Sequence, residues 1–352
     1  MSQNLRRGSG PPFCFFLRAV LAYFLPGMGA IGELVRVFED RGMSRNYNLG
    51  TRDMVSAGRI ALDRAASRGE LSFSTADTVA DRWAQFAAYA KSTGVGRMER
   101  ISPELATAYG QAVARRVERG ELSPAYAQNL VSAVNTVLHQ VRDDWRSISP
   151  TRDCAIPERC AIRDTPPVGI DREVTGRALD VLREAGYERA AAVAELAREL
   201  GLRSKEAALL DASRALREAQ QHGVITLSEG TKGGRERSVP MTDERQIEAL
   251  SRAAAVQNGN RNLVPSEQTW AQFRGGELRD GRESLQEARI SGYHDLRAAY
   301  ACQRYEALTG LPGPVLGGLI QDRQVDREAR EQISAELGHG RIDVVAEYIG
   351  GR

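Results

Sequence analysis

Gly292-Tyr293-His294-Asp295-Leu296-Arg297 opens a helical pattern that runs to about Leu308, and two more helical stretches follow, Asp326 to Leu337 and Ile342 to Ile349. His294 and Arg297 stand one turn apart on the first of these stretches. Glu336-Leu337-Gly338-His339 closes the second, and Tyr348 lies on the third with Val344 and Val345. Three consecutive helices thus carry a histidine and an arginine, a second histidine, and a tyrosine, a set that can grip a phosphodiester and attack it. Each residue also has a plain reading. A tyrosine beside two valines packs, a histidine after a glycine complements a helix dipole, and a His/Arg pair decorates a capped surface helix.

Working outward, helical patterning from Arg172 to Leu200 stops at Gly201, and Ser204 caps a new helix with Ala207, Leu209 and Leu210. Arg203 therefore sits in a tight junction between helices. From Gly223 to Met241 the period changes to that of strands: Val224-Ile225-Thr226-Leu227 and Ser238-Val239-Pro240-Met241 flank Gly230-Thr231-Lys232-Gly233-Gly234, the one clear hairpin of the chain. In-line displacement at phosphorus needs a nucleophile, cations on the nonbridging oxygens, and an acid for the leaving oxygen. Tyr348 is the candidate nucleophile, Arg203 and Arg297 the fork-shaped clamps, His339 and His294 the proton carriers, and Lys232 the acid. Lysine occurs only at Lys91, Lys205 and Lys232, and every other position among the 48 Lys+Arg is arginine. An amine can give up its proton where a guanidinium cannot, which makes the surviving lysines informative. Lys205 is a rival donor, but a glycine hairpin lets Lys232 swing more freely than a helix start allows.

Composition bounds the rest. A chain of 352 residues, 42% hydrophobic and 27% charged, can bury more than one core. Its net charge of +2 means that any nucleic-acid surface comes from local arginine clustering. Cys14, Cys154, Cys160 and Cys302 form no CxxC pair, which fits a reducing cytoplasm and no metal site. The apolar run from Phe13 to Leu25 is interrupted by Arg18 and too short to span a bilayer, so no membrane partner is expected. Residues 1–42 read either as a poorly ordered extension or as untranslated sequence ahead of Met43. Residues 43–74, with Arg45, Arg52, Arg59, Arg64 and Arg68, read as an N-terminal accessory segment or an ordinary basic helix.

Between Thr75 and Asp144 apolar residues recur at three and four spacing, predicting about four helices. Ser74 or Thr75 caps the first, Ser102 before Pro103 the second, and Ser123 before Pro124 the third. Pro150, Pro157 and Pro166-Pro167 mark residues 149–171 as a linker. Residues 256 to 290 show no clear architecture, with Trp270 and Phe273 as anchors.

Taken together in this order, Gly201-Leu202-Arg203-Ser204-Lys205-Glu206, the hairpin from Thr231 to Pro240, Gly292 to Arg297, and Glu336 to His339 with Tyr348 resemble the tyrosine recombinases, the phage-type integrases. The resemblance implies a mainly α chain with a small β-hairpin: a helical core-binding (SAM-like) domain at 75–148 and an α+β catalytic domain at 172–352, closing as a two-domain clamp on DNA. It implies a site-specific recombinase, encoded by a mobile element, in which Tyr348 forms a 3′-phosphotyrosyl link and frees a 5′-hydroxyl. By the same resemblance Arg203 and Arg297 hold the phosphate, His339 donates to it, Lys232 protonates the leaving oxygen, His294 assists at the tyrosine, and Glu206 supports Arg203. No metal, ATP or other cofactor is needed, because the bond energy is conserved in the link. The implied partners are double-stranded attachment sites, three further copies in a homotetramer on synapsed DNA, and a directionality factor, in a bacterial cytoplasm.

The sequence departs from the family in three places. The stretch from Leu311 to Arg330, with Pro312, Pro314 and Gly317-Gly318, reads as an insertion or surface loop. Arg297 is followed by Ala298-Ala299-Tyr300 where common members have His-Thr-Phe. The chain runs only to Arg352 after Tyr348, so any coupling between subunits is expected to use a surface other than a long C-terminal helix. The rival functions are a type IB topoisomerase, which relaxes supercoils with the same chemistry, and a relative that kept the fold but lost catalysis.

Overall fold

The computed structural model describes residues 45–231 and 234–351. Residues 1–42, read as an extension, and Lys232 lie outside the described residues. The chain divides into two units, Met1–Arg159 and Cys160–Arg352.

In the first unit α1 (Met54–Ser67), α2 (Phe73–Ser92), α3 (Pro103–Glu118) and α4 (Pro124–His139) share one core. Each begins where a short polar side chain accepts a backbone N–H: Asp53 from Ser56, Ser72 from Thr75, Ser102 from Leu105 and Ser123 from Tyr126. The cap of α2 is therefore Ser72, ahead of the expected Ser74 or Thr75, because the helix starts at Phe73. Where about four helices were expected between Thr75 and Asp144 there are three, the first of them starting slightly earlier at Phe73, and the fourth of this core comes from the segment read as accessory. Ala57, Ala61, Leu62 and Ala65 form a buried stripe on α1. Trp83 of α2 lies over Gly58, where a Cβ would come within 2.1 Å of its Nε1, and that Nε1–H donates to the Met54 carbonyl at 2.8 Å. Small residues let the two helices approach, and the arginines on the outer face had masked that stripe. Trp145, Ile148, Cys154 and Ile156 join the same core, so the start of the expected linker is folded onto this unit.

The second unit is built around α6 (Glu188–Leu200), ten of whose residues from Ala190 to Leu200 are buried. α5 (Arg172–Glu184) precedes it, the two parted at Gly186 with φ +82°. α7 (Ser204–Leu209) and α8 (Ala212–His222) lead into an antiparallel hairpin, β1 (Val224–Leu227) and β2 (Arg237–Pro240), with Val224 opposite Pro240 and Leu227 opposite Arg237. α9 (Glu244–Gln257) packs on α6 and α8. The stretch without clear architecture forms α10 (Trp270–Gly275) and α11 (Glu277–Glu287), anchored by the fully buried Phe273. α12 (Tyr293–Thr309) lies along α6 and begins slightly before the His/Arg pair.

The expected insertion after Leu311 is a loop only in part. Leu319 is exposed, but Asp322 caps α13 (Arg323–Glu336), which takes up the rest. α14 (Ala346–Ile349), a single turn entered through a 3-10 turn at Asp343–Val345, completes the unit against α12. The fold is thus mostly helical with one two-stranded sheet among the described residues. No helix among them is long and apolar enough to cross a membrane.

Candidate active site

The site starts where α6 ends. Gly201 adopts φ +63°, and a Cβ there would lie 2.4 Å from the Tyr300 ring, so only glycine fits both the turn and the contact. The turn frees the Gly201 carbonyl to accept a hydrogen bond from Arg297 Nη1 and sends Arg203 out as the N-cap residue ahead of the next helix. Glu206, on the first turn of α7, folds back to accept from the Arg203 amide at 2.8 Å and from its Nη1 at 2.6 Å. The same carboxylate takes Arg237 Nη2 at 2.6 Å and stands 3.5 Å from Arg297 Nη1. Burial by itself would raise the Glu206 pKa, but the cations of Arg237, Arg297 and Arg203 hold it below the usual carboxylate range. One buried anion therefore fixes three guanidinium groups.

Arg237 is a residue that the sequence reading missed. Its Nη1 donates to the Glu336 carbonyl, and its Cδ lies where a Cβ on Gly338 would come within 2.5 Å. Gly338, at φ +67°, thus lets β2 pass directly under the turn that presents His339. The available signal was the strand alternation, since Arg237 and Val239 share the buried face while Ser238 is exposed. An arginine at an inward strand position implies a buried partner.

Arg297 is 1% exposed, its Nη2 donates to the Leu337 carbonyl at 2.6 Å, and Nη2 also lies 3.3 Å from His339 Nε2. Tyr348, 2% exposed, places its hydroxyl 2.9 Å from His339 Nε2 and accepts from Arg297 Nε at 3.3 Å. A guanidinium can only donate, so the Nε2 facing it acts as an acceptor and the Tyr348 O–H donates to it as well. The His294 ring completes the cluster, 5.1 Å from that of Tyr348 between centroids. Partial burial and the cations of Arg297, Arg203 and Arg237 push the His339 pKa down to about 3. Desolvation and the cations of Arg297, Arg163 and Arg203 lower that of His294, although the residue is exposed. Burial lowers Arg297 to about 10, leaving it charged at neutral pH.

Arg203, Glu206, His294, Arg297, His339 and Tyr348 are thus brought together from three helices, α7 with its N-cap, α12 and α14, and from the turn after α13. Lys232 lies outside the described residues, but Gly230, two residues before it, is placed: a Cβ there would lie 2.9 Å from the Lys205 carbonyl, so the hairpin loop bears on the start of α7. Lys205 itself is exposed. Chemically the cluster joins a phenol, an acceptor for its proton and cations for a phosphate.

Residues 161–303 match a family profile described as Integrase, a span that holds Arg203 and the His294–Arg297 turn but not His339 or Tyr348. No curated protein matches. Among solved structures, a lambda integrase tetramer bound to a Holliday junction is 14% identical with a TM-score of 0.53, covering 83% of this chain and 76% of that one. The Tn1549 transposon integrase in complex with transposon right end DNA is 14% identical with a TM-score of 0.52, covering 88% and 96%. XerH site-specific recombinase bound to palindromic difH substrate is 15% identical with a TM-score of 0.52, covering 85% and 81%. The resemblance to the tyrosine recombinases seen in the sequence is borne out by the integrase profile and by the fold of the chain.

Proposed function

We propose that this chain, which carries the tyrosine-recombinase fold, is a site-specific recombinase that cleaves and rejoins double-stranded DNA for a mobile element. One observation carries the reading: the Tyr348 hydroxyl lies within hydrogen-bond distance of both His339 Nε2 and Arg297 Nε. A buried tyrosine that merely packed would not need an imidazole and a buried guanidinium on its oxygen.

In the proposed step Tyr348 attacks the scissile phosphorus, a 3′-phosphotyrosyl bond forms, and the bond to the 5′-oxygen breaks. Arg203, whose side chain is 24% exposed, meets the phosphate first, and Arg297 takes it as Tyr348 moves from its Nε. His339 and His294 handle the phenolic proton and the nonbridging oxygens, and Lys232 protonates the departing 5′-oxygen. Glu206 keeps the arginines in place while burial keeps them poorly solvated, which strengthens their pull on the phosphate. Synapsis of two DNA sites by a homotetramer, and control of direction by a further protein, belong to the same proposal.

The test is covalent capture on nicked duplexes tiled across the DNA that flanks the gene. The wild-type chain should form an adduct that survives detergent, and Tyr348→Phe should reduce it to background. An adduct that persists in Tyr348→Phe sinks the nucleophile assignment. Sustained relaxation of a supercoiled plasmid lacking any such flank would favour topoisomerase action.

A further inference from the structure

One arginine outside the cluster reaches two of its elements at once. Arg163 lies in the stretch that leads into the 3-10 turn Val168–Ile170. Its backbone N–H donates to the carbonyl of Ala346, the first residue of α14, at 2.9 Å. Its Nη2 donates to Asp295 Oδ1 at 2.5 Å, on the turn of α12 between His294 and Arg297. A third bond, from Nε to the Thr165 carbonyl at 2.7 Å, fixes the plane of the guanidinium. The other carboxylate oxygen of Asp295 accepts from the Gly169 amide at 2.9 Å. The ion pair is sheltered, with side chains 17% and 3% exposed.

The position of this pair matters because α14 cannot hold itself. A single helical turn lies far below the length at which a helix is stable alone, so the direction of Tyr348 depends on ties to its surroundings. Arg330 supplies one tie after the tyrosine, donating to the carbonyls of Gly350 and Gly351 at 3.2 Å each. Arg163 supplies the tie before it and also grips the helix of His294 and Arg297, whose Cys302 Sγ–H reaches the Tyr348 carbonyl at 3.7 Å. Arg163 holds α12 through its side chain and α14 through its backbone N–H, and these are the two elements whose separation sets the distance from Tyr348 to Arg297.

We infer that Arg163 is a positioning residue for strand cleavage: by joining Ala346 to Asp295 it holds Tyr348 in register with Arg297 and His339. The inference rests on the recombinase reading above. It acts through geometry, so binding of DNA and catalysis by it should separate.

The full chain is compared with Arg163→Ala, Arg163→Lys and, as a control on the exposed surface of the first unit, Arg152→Ala. In the free protein, amide exchange over residues 343–351 should quicken by about tenfold in Arg163→Ala. On the nicked duplexes, single-turnover capture should slow by on the order of 100-fold, the scale of a reacting group displaced by about 1 Å, with duplex retention unchanged. Arg163→Lys keeps a cation for Asp295 but loses the fork, so its capture rate should fall between the two. Wild-type exchange and wild-type capture in Arg163→Ala overturn the inference, as does a loss of capture that only follows a loss of DNA retention. If Arg163→Ala does not fold, a wild-type capture rate in Arg163→Lys overturns it. Absence of any adduct from the wild-type chain instead defeats the recombinase reading, which these outcomes keep apart.

Discussion

The two units bury different things. In the first, among the described residues, no charged side chain is buried, and the centre is Trp83, Phe86, Leu130 and Leu138 among alanines and valines. In the second, Arg297 and Arg330 rank with Trp83 and Tyr348 among the largest side chains that are fully buried, accompanied by Arg198, Glu206, Arg237 and Glu336. An apolar core is stable on its own account, whereas a buried guanidinium is costly unless fully paired. Such groups are retained where a charge must be held dry and still. The contrast separates a unit whose inside serves folding from one whose inside also holds the proposed site.

The sharpest way to break this contrast is at Glu206. Glu206→Ala leaves Arg203, Arg237 and Arg297 without their common anion, at a cost of about 3–5 kcal/mol to the second unit. Amide exchange should quicken across α7 and α12 and stay at wild-type rates across α1 to α4, and covalent capture should be lost. Uniform destabilisation of both units would refute the separation.

Acid should also divide the units. The folded pKa of His339 is about 3, below its ordinary value of 6.5. As pH falls below 6.5 the unfolded chain takes up this proton first, so stability present above that value is lost progressively towards pH 3. Urea midpoints of the second unit should therefore fall between pH 6.5 and 4, and His339→Gln should flatten that slope. An unchanged slope would show that His339 titrates normally.

The smallest expected effect tests the apolar side. Gly58→Ala places a methyl group against the Trp83 ring and should cost the first unit about 1–3 kcal/mol, seen as faster exchange in α1 and α2 with capture on DNA preserved. If capture fell in proportion, the first unit's packing would bear on the chemistry and the contrast would weaken.

Much of the fold was legible because its signals are local. Ser102-Pro103 and Ser123-Pro124 each started a helix where a hydroxyl precedes proline, and the hairpin followed from the change of period around Gly230 to Gly234. The segment holding α1 was read as an accessory segment or an ordinary basic helix; its share in the core was not legible, because Ala57, Ala61 and Ala65 have small side chains that give a weak hydrophobic signal while permitting close helix packing. α10 and α11 were hidden for a related reason, since few of their residues are apolar and Phe273, Leu278 and Leu285 supply most of the burial.

At the site, residue types and order pointed to Arg203, His294, Arg297, His339 and Tyr348, because the demands of phosphoryl transfer limit which side chains can serve. Arg237 and Arg163 carried no such mark: one stands in a strand and the other in a proline-flanked stretch, and what distinguishes each is a partner far away in sequence. The sequence alone determined the helix starts, the hairpin and the chemical types available, since capping, backbone freedom and acidity are properties of short segments. Only the tertiary structure decided that Glu206 faces three arginines and that Tyr348 meets His339 at 2.9 Å. Those facts depend on how the helices pack, and each buried charge is tolerable only where packing brings its partner.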